Sequence, residues 1–321
     1  MDHSIDYLNE FLSSDELDFI ISTGEYSVNV QYENLLRAID ARLKGRDSFV
    51  GMIFVAGPSS SGKTTFSEML RDKLGSTGIN ATVVSLDDFY HHKEYTKRKQ
   101  VKMGLISEDS DDVDYETVEA FDVSQFKTKM RQYVRGEKVM LPEFDFLSGK
   151  QLKDRNPIKR KGKDILIIEG IQTMNPKVFN GISVDLKLKI YICPFDTYTS
   201  RSNPKIRITP QMIRFMRRTV RDNEKRGASV MRTCEMWPSV RLGEERYIKP
   251  MKKYADFFFN SSYMYEPFYL TSKIRKLIER LSDEEKAVVY RYIDEAAINS
   301  VLPKEKLAIP KDSVFNEFYF E

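Results

Sequence analysis

The stretch Gly57-Pro58-Ser59-Ser60-Ser61-Gly62-Lys63-Thr64 fits the pattern G-x-x-x-x-G-K-[ST] in full. The apolar run 49–56 before it reads as a buried parallel strand, and residues 64–74 after it read as a helix. A strand, a glycine-containing loop and a helix in this order form a P-loop, in which backbone N–H groups and a helix N-terminus converge on a phosphate chain. The sequence therefore predicts a binding site for a nucleoside triphosphate.

The residues of this loop have separate expected roles. Lys63 is predicted to reach the β- and γ-phosphates, and the Thr64 hydroxyl is predicted to hold Mg²⁺. ATP and Mg²⁺ are accordingly the predicted cofactors. The predicted ATP-binding residues in the loop and at the start of the helix are Gly57, Pro58, Ser59, Ser60, Ser61, Gly62, Lys63, Thr64 and Thr65.

The composition is that of a soluble globular protein. The 321 residues are 41% hydrophobic and 31% charged, enough for one large α/β domain with extensions or for two domains. With 51 basic and 48 acidic residues, the net charge of +3 is too balanced to indicate a nucleic-acid-binding protein. Two cysteines, Cys193 and Cys234, are too few for a disulfide framework or a cysteine-based zinc site.

No targeting or membrane signal is visible in the sequence. The N-terminal residues lack an apolar h-region, and no run approaches 18 apolar residues. We therefore expect a cytoplasmic protein that binds neither membranes nor nucleic acids and whose partner is a small-molecule substrate. Homo-oligomerisation stays open at this stage.

Three segments are predicted along the chain: a helical N-terminal extension (1–47), a P-loop domain (48–265) and a helical C-terminal extension (266–321). Strand candidates in the middle segment alternate with helical patterns, and they are 49–56, 81–86, 164–168, 186–192 and 256–260. This alternation predicts an α/β fold with a parallel sheet that helices cover on both faces.

Three further stretches carry local signals. In the N-terminal segment, one helix face is predicted to carry Leu35, Leu36, Ile39 and Leu43. This helix is predicted to end at Lys44-Gly45-Arg46-Asp47. In the C-terminal segment, Ser282-Asp283-Glu284-Glu285 is a capping box before Val289, Tyr292, Ile293 and Ala296, which have helical spacing. Residues 93–112 are charge-rich and are predicted to form a solvated, mobile loop near the site.

Two other classes of P-loop protein are disfavoured by the sequence. No Asn-Lys-x-Asp occurs, so the guanine-reading element of a typical GTPase is missing. Leu147-Ser148-Gly149-Lys150-Gln151 resembles a transport-ATPase signature, but such a signature must open a helix, and Asn156-Pro157 breaks the segment. The strand that follows also ends in Glu169-Gly170 instead of Asp-Glu.

Carboxylates follow two of the predicted strands and point to phosphoryl transfer. Asp87 follows strand 81–86, and Glu169 follows strand 164–168. Ligands of open α/β sheets lie beyond the carboxyl ends of the strands, so both side chains are expected near the phosphates. Asp87 would orient an acceptor hydroxyl, take its proton and contact Mg²⁺, and Glu169 would order Mg²⁺ directly or through water. The alternative for Asp87 is a helix N-cap.

A basic helix is predicted over 210–222. Arg214, Arg217, Arg218 and Arg221 lie largely on one face, and Ile213, Met216 and Val220 mark the apolar face. Arginines this close repel each other unless an anion joins them, so we expect an arginine lid over ATP. A solvated basic helix, or a helix that binds nucleic acid, is the alternative.

Taken together, these residues resemble the uridine kinase family of P-loop nucleoside kinases, whose relatives include phosphoribulokinase and pantothenate kinase. The shared motifs run in order across about 200 residues. They are the loop 57–64, Asp87-Asp88-Phe89-Tyr90, Pro142-Glu143-Phe144-Asp145-Phe146, Glu169-Gly170-Ile171, Arg217-Arg218-Thr219-Val220-Arg221-Asp222, and Ile248-Lys249-Pro250 with Tyr254-Ala255-Asp256. The segment 237–245 is also similar to the kinase half of longer proteins with TGS domains in front, and the chain is expected to be that kinase part with its helical tail.

The resemblance implies roles for particular residues. Asp87 corresponds to the catalytic aspartate near the 5′-hydroxyl, and Asp114 resembles the aspartate that holds the ribose hydroxyls, with Arg214 as its partner. The other implied residues are Arg217, Arg218 and Arg221 at ATP, and Tyr90, Phe144 and Phe146 near the sugar and base. Uridine kinases carry a base-reading histidine where this chain has Gly149, which offers no side chain to a pyrimidine edge.

The predicted activity is transfer of the ATP γ-phosphate to a primary hydroxyl, with Lys63, Asp87 and Glu169 as the catalytic residues and a uridine- or cytidine-like nucleoside 5′-hydroxyl as the first choice. A kinase of another polyol or sugar phosphate, as in phosphoribulokinase, is one alternative. A non-catalytic regulator that only binds ATP is the other.

Overall fold

A sheet of five parallel strands forms the centre of the structure, a computed structural model that describes residues 1–13, 16–109, 113–146 and 148–320. The described strands are β1 (Asp2–Ser4), β2 (Phe49–Ala56), β3 (Asn80–Ser85), β4 (Val139–Asp145), β5 (Lys150–Ile158), β6 (Lys163–Glu169), β7 (Leu186–Cys193), β8 (Thr197–Thr199), β9 (Arg207–Ile208) and β10 (Phe257–Asn260). The central sheet has the order β10-β7-β2-β6-β3. Helices from the segments before, between and after these strands surround the sheet, as expected for an α/β fold with crossover connections.

The α-helices within the described residues vary from one turn to more than seven turns. They are α1 (Ile5–Ser13), α2 (Leu17–Leu43), α3 (Lys63–Ser76), α4 (Lys93–Lys102), α5 (Val123–Val134), α6 (Pro176–Phe179), α7 (Pro210–Arg226), α8 (Val230–Gly243), α9 (Glu266–Ile278), α10 (Asp283–Val289) and α11 (Glu295–Ser300). None of them combines the length and apolar character that a bilayer span requires.

The register of the central strands brings the predicted site together. Val55 of β2 lies opposite Glu169 of β6, and Ser85 of β3 lies opposite Glu169 from the other side. Every residue of β2 is buried, as expected for a strand that is covered on both faces. The P-loop, Asp87 and Glu169 therefore all follow the carboxyl edge of three adjacent strands.

The sequence prediction of the fold is confirmed in its main points. All five strand candidates form the central sheet, with ends that differ by at most one residue from those expected. The helix after the P-loop begins at Lys63, one residue before the expected start. The predicted helix stop is also confirmed, because α2 ends at Leu43 and Gly45 adopts a φ of +78°.

The terminal segments pack onto the same core as the sheet. Tyr32 of α2 stacks on Phe66 of α3 with ring centroids 5.1 Å apart and tilts against Phe259 of β10 at 4.9 Å. Leu35 and Ile39 of α2 are buried in one hydrophobic cluster with side chains from the sheet, from α7 and from the C-terminal helices. At the N-terminus, β1 pairs in parallel with β8.

The charge-rich segment 93–112 was expected to be a mobile loop, and this prediction is wrong for its first half. Residues Lys93–Lys102 form α4, which buries Thr96 and Gln100 at a spacing of one helical turn. The Gln100 side chain donates to the backbone oxygen of Asp114 at 2.7 Å and accepts from its N–H at 2.9 Å. Because α4 docks through polar groups, hydrophobic periodicity does not reveal it. Residues 110–112 lie outside the described residues.

The C-terminal helical pattern is also corrected. The capping box at Ser282 and Glu285 is present, but α10 ends at Val289 and the chain turns before α11. Asp294 starts the new helix, since its carboxylate accepts from the N–H groups of Ala296 and Ala297. Ala296 is exposed, so the expected single apolar face does not exist.

The segment that resembles a transport-ATPase signature opens no helix. Residues Lys150–Ile158 form β5, which pairs antiparallel with β4 as a two-stranded ribbon. Leu147 itself lies outside the described residues. A β-ribbon here agrees with the rejection of that class from the sequence.

Candidate active site

The P-loop has the backbone geometry and the free hydroxyls of an anion-binding loop. Ser60 adopts a φ of +59°, a left-handed conformation that is uncommon for residues other than glycine, and Gly62 has a φ of +88°. The side-chain oxygens of Ser60 and Ser61 are buried and have no hydrogen-bond partner among the described residues. Buried hydroxyls are normally paired, so these two fit a ligand with many acceptor oxygens, such as a phosphate chain.

Lys63 is the cation that three acidic side chains share. Its Nζ donates to the backbone oxygen of Pro58 at 3.1 Å, which holds it inside the loop. Its positive charge lowers the pKa values of Asp87, Glu116 and Glu169, while burial raises all three above their ordinary range. The carboxylates and Lys63 therefore form one electrostatic cluster beside the phosphate loop.

Asp87 does not cap the helix in which it lies. It lies in the short 3₁₀ helix Leu86–Phe89, and the residue that caps this helix is Ser85, whose Oγ accepts from the Asp87 N–H at 3.3 Å. Asp87 Oδ1 is buried and has no partner among the described residues. The helix N-cap that the sequence left open for Asp87 is therefore wrong.

Glu169 ends β6 and is almost completely buried. Its Oε1 accepts from Ser85 Oγ at 3.0 Å, which fixes the carboxylate at the edge of the sheet. Burial is the main cause of its raised pKa, followed by the charge of Asp87, with a smaller contribution from Glu317. Glu169 and the half-buried Asp87 are neighbouring carboxylates, which are suited to hold a cation between them.

The structure adds Glu116, which the sequence analysis did not assign to the site. Burial raises the pKa of Glu116 to about 7 against the opposing charges of Lys63 and Arg218. Its side chain passes directly over Gly243, where a Cβ would come within 2.6 Å of Glu116 Cγ. Asp114 builds the turn that presents it, because Asp114 Oδ1 accepts from the Glu116 N–H at 2.9 Å. The Asp-x-Glu pattern of this turn is the sequence signal that could have indicated Glu116.

The raised pKa of Glu116 predicts a specific pH dependence of stability. The folded protein keeps the Glu116 proton up to pH of about 7, whereas the unfolded chain releases it near 4.5. Wild-type stability should therefore fall as pH rises from 4.5 to 7, by linkage. In Glu116→Gln that loss is absent, so above pH 7 its free energy of unfolding should exceed that of the wild type by about 3 kcal/mol. Urea unfolding between pH 4 and 8 measures the difference.

Glu119→Gln is the matched control for this prediction. Hydrogen bonds from Lys177 and Lys99 lower the pKa of Glu119, so its stabilising contribution is present above pH 4.5 and is lost as pH falls. The control should therefore destabilise the protein at neutral pH. Equal pH profiles for wild type and Glu116→Gln would contradict the placement of Glu116.

The basic helix α7 brings three arginines to the phosphate loop. Arg214 Nη1 donates to the Ser59 oxygen at 3.3 Å, and Arg218 Nη1 donates to Ser59 Oγ at 2.8 Å. Arg217 Nη1 lies 3.5 Å from the Ser60 oxygen. The opposite side of α7 is buried against the core, as the apolar spacing predicted. Their role in binding ATP stays a prediction, as does that of Arg221.

The argument that these arginines need a phosphate to offset their repulsion is wrong. Each of the four has a carboxylate partner within the protein, and the three that face the loop are buried. The pairs are Arg214–Glu244 (2.5 Å), Arg217–Glu266 (2.7 Å), Arg218–Asp222 (3.4 Å), Arg221–Asp222 (2.9 Å) and Arg221–Glu317 (3.4 Å). Asp222 lies on α7 itself, whereas Glu244, Glu266 and Glu317 come from distant segments, and a local reading of the sequence could not detect those three.

The expected pair between Asp114 and Arg214 is also corrected. The Arg214 guanidinium binds Glu244, which also accepts from Arg241. Asp114 accepts from the N–H of Glu116 in the turn described above, and its backbone is held by Gln100. The positive charges of Lys63 and Arg218 act on the carboxylate of Glu116, whose pKa they lower against the effect of burial.

The aromatic residues assigned to the acceptor come together in one cluster. The Tyr90 ring stands edge-on to Phe144 and Phe146 at 5.3 Å and 6.0 Å, and its hydroxyl donates to the Tyr115 oxygen. Tyr90 and Phe144 are buried, whereas Phe146 is 64% exposed. Phe146 therefore offers a free aromatic surface at the end of the β4–β5 ribbon.

Gly149 cannot be replaced by a base-reading side chain in this fold. It is buried with a φ of +64°, and a Cβ there would come within 2.9 Å of Lys93 Cβ. The Lys93 N–H donates to its carbonyl oxygen at 2.9 Å. The position is a turn that anchors the start of α4.

The donor set fits Mg²⁺ that arrives with a nucleotide. Across residues 1–13, 16–109, 113–146 and 148–320, no group of three or more His, Cys, Asp or Glu side chains is arranged to hold a metal ion by itself. Thr64 is exposed on the first turn of α3, and Asp87 and Glu169 lie at the neighbouring strand ends. One or two carboxylates with substrate phosphates are the usual protein ligands of Mg²⁺.

Comparison with known proteins gives a consistent family match. The model of the Phosphoribulokinase / Uridine kinase family matches residues 52–264. The uridine kinase of Borrelia duttonii is 29% identical over 209 residues, which cover 64% of this chain and 84% of that protein. The uridine kinase of Staphylococcus aureus (strain JH9) is 26% identical over 232 residues, or 71% and 97% of the two chains. The solved D-glycerate 3-kinase from Cryptococcus neoformans superposes with a TM-score of 0.46 and 14% identity, covering 71% and 89%.

Proposed function

Because the chain belongs to the phosphoribulokinase/uridine kinase family and is therefore a kinase of small molecules, we propose that it transfers the γ-phosphate of ATP to the 5′-hydroxyl of a nucleoside. The observation that carries the proposal is the cluster of Lys63, Asp87, Glu116 and Glu169 beside the P-loop, in which burial of the carboxyl groups raises the pKa of all three acids. A regulator that only binds ATP has no need for carboxylates that are held with raised pKa values next to the phosphate lysine.

The geometry supports a set of residue roles in phosphoryl transfer. Lys63 and Arg218 supply positive charge at the phosphate loop, and Thr64 with Glu169 would hold Mg²⁺, which neutralises charge on the phosphates when bound. Asp87 orients the acceptor hydroxyl and receives its proton. Burial raises the pKa of Asp87, which makes it a stronger base than an ordinary aspartate while it is still ionised at neutral pH.

Glu116 and the aromatic cluster support a nucleoside as the acceptor. A carboxylate beside Asp87 can accept hydrogen bonds from vicinal sugar hydroxyls, as ribose offers them. Phe146 and Tyr115 present aromatic surface that suits a planar base, whereas a sugar phosphate calls for cationic side chains at the acceptor end. Since Gly149 carries no side chain, we expect weak discrimination between pyrimidine bases.

A panel of acceptors tests this proposal. ADP release is measured with the four common nucleosides, with ribulose 5-phosphate and with glycerate, and Lys63→Ala serves as the inactive control. We expect turnover with at least one nucleoside and with neither ribulose 5-phosphate nor glycerate. Turnover of a sugar phosphate alone would contradict the nucleoside assignment, and binding of ATP without turnover of any alcohol would favour the regulator.

A further inference from the structure

The C-terminal strap, defined here as residues Ser313–Phe318, lies directly on the P-loop. It contains the 3₁₀ helix Val314–Glu317, and Val314 Cγ1 would be 2.7 Å from a Cβ at Gly62. Phe318 places its ring 4.8 Å from the Arg217 guanidinium, which itself faces the loop. The strap lies outside residues 52–264, the part of the chain that the family model matches.

The strap is anchored by three tyrosines that follow β10. The Val314 N–H donates to Tyr263 Oη at 3.2 Å, and Phe315 packs its ring against Tyr263, Tyr265 and Tyr269. Val314, Phe315 and Phe318 are all buried. The backbone of the strap is therefore held in place independently of its acidic side chain.

The Glu317 side chain extends from the strap and contacts two residues of the predicted nucleotide site. Its Oε2 accepts from Thr65 Oγ1 at 3.3 Å, and its Oε1 accepts from Arg221 Nη1 at 3.4 Å. The side chain is 16% exposed. An anion at the first turn of the P-loop helix interacts with the helix dipole and hydroxyl groups as a phosphate does.

A phosphate chain and the Glu317 carboxylate would repel each other in this position. Thr65 and Arg221 are both predicted ATP contacts. Each can bind either the phosphate chain or the Glu317 carboxylate with good geometry, but not both. Like charges a few ångströms apart in a partly buried site interact unfavourably, so occupation by one disfavours the other.

We propose that Glu317 is an internal competitor of the nucleotide: it occupies the anion-binding contacts of Thr65 and Arg221, and ATP binds only when its side chain moves away. This inference rests on the proposed use of the P-loop for ATP. Glu317 thereby sets the nucleotide concentration at which the enzyme becomes active, and any ligand that draws the strap away from α3 would raise ATP affinity.

Glu317→Gln tests the inference, since it removes the charge and keeps the shape. Binding of ATP and of inorganic tripolyphosphate is measured by calorimetry for the wild type and the variant. We expect both ligands to bind about tenfold more tightly to Glu317→Gln. Adenosine carries no phosphate, and its affinity should stay the same. Glu305→Gln is the matched control, because Glu305 pairs with Lys276 on the surface away from the loop.

The possible results separate this inference from the proposed function. Unchanged or weaker binding of ATP and tripolyphosphate to Glu317→Gln, with normal binding to the wild type, would overturn the role of Glu317 alone. Failure of both proteins to bind either ligand would overturn the phosphate site and the inference with it. An equal gain for adenosine would also overturn it, because the effect would then be steric. Glu317→Asp, which withdraws the carboxylate by one methylene, should give an intermediate affinity, and thermal unfolding confirms that each variant is folded.

Discussion

Asp87→Asn is expected to lower kcat by a factor of about 10² to 10⁴, the usual contribution of a general base, while ATP still binds. Asparagine has the same shape but cannot receive the proton of the acceptor hydroxyl. The backbone should not change, because Ser85 and not Asp87 caps the 3₁₀ helix Leu86–Phe89. Loss of the Asp87 charge also removes one cause of the raised pKa of Glu169, which favours the ionised form of that side chain.

Asp88→Asn is the matched control for this experiment. The Asp88 side chain accepts from the Phe144 N–H at 3.3 Å, a contact that an asparagine oxygen can keep. Steady-state kinetics with the best nucleoside, together with calorimetry of ATP binding, give the two readouts. If Asp87→Asn retained its kcat, or if Asp88→Asn lost as much, Asp87 would not be the base.

The second large effect is expected on stability. Glu266→Gln should lower the free energy of unfolding by about 3 to 5 kcal/mol, because it leaves a buried guanidinium without its counter-charge. Arg217 and Glu266 are 1% and 0% exposed, with Nε and Oε2 2.7 Å apart. Arg217 also donates to the Ser261 oxygen at 2.6 Å, so it cannot turn towards solvent without breaking further contacts.

Urea unfolding at 25 °C measures this loss, and Glu33→Gln provides the control. Glu33 pairs with Arg37 on the exposed face of α2, where the same chemical change should cost less than about 1 kcal/mol. The double variant Arg217→Met with Glu266→Leu should be less destabilised than the sum of the two single variants, since both buried charges are then absent. Equal effects of Glu266→Gln and Glu33→Gln would contradict the buried pair.

The fold was predictable because its signals are local. Apolar runs of strand length alternate with helical patterns, and the strand 49–56 leads directly into the P-loop pattern. Asp87 and Glu169 were found in the same way, since each immediately follows a strand whose carboxyl end must face the ligand. The helix α4, which follows β3, was harder to predict from the sequence, because it packs through Thr96 and Gln100 instead of through apolar side chains.

Glu116 illustrates what sequence reasoning could not reach within the site. Its neighbour Asp114 is of the same chemical type, and the resemblance to the family pointed to Asp114. The choice between them depends on a turn in which one carboxylate accepts a backbone N–H and the other faces Lys63. Such a difference of orientation arises from the surrounding contacts, among them the close approach of Gly243.

The sequence by itself determined that this protein has a parallel α/β sheet with a P-loop, and that carboxylates follow two of its strands, because backbone geometry and strand burial impose those patterns locally. Only the tertiary structure decided which charges meet. Arg221 and Glu317 are 96 positions apart, and Arg217 and Glu266 are 49 apart, yet each pair is in contact. Pairings of this kind depend on how distant segments pack. Because of them, the arginines of α7 are paired with carboxylates of the protein and are not the unpaired phosphate-binding cluster that the sequence alone suggested.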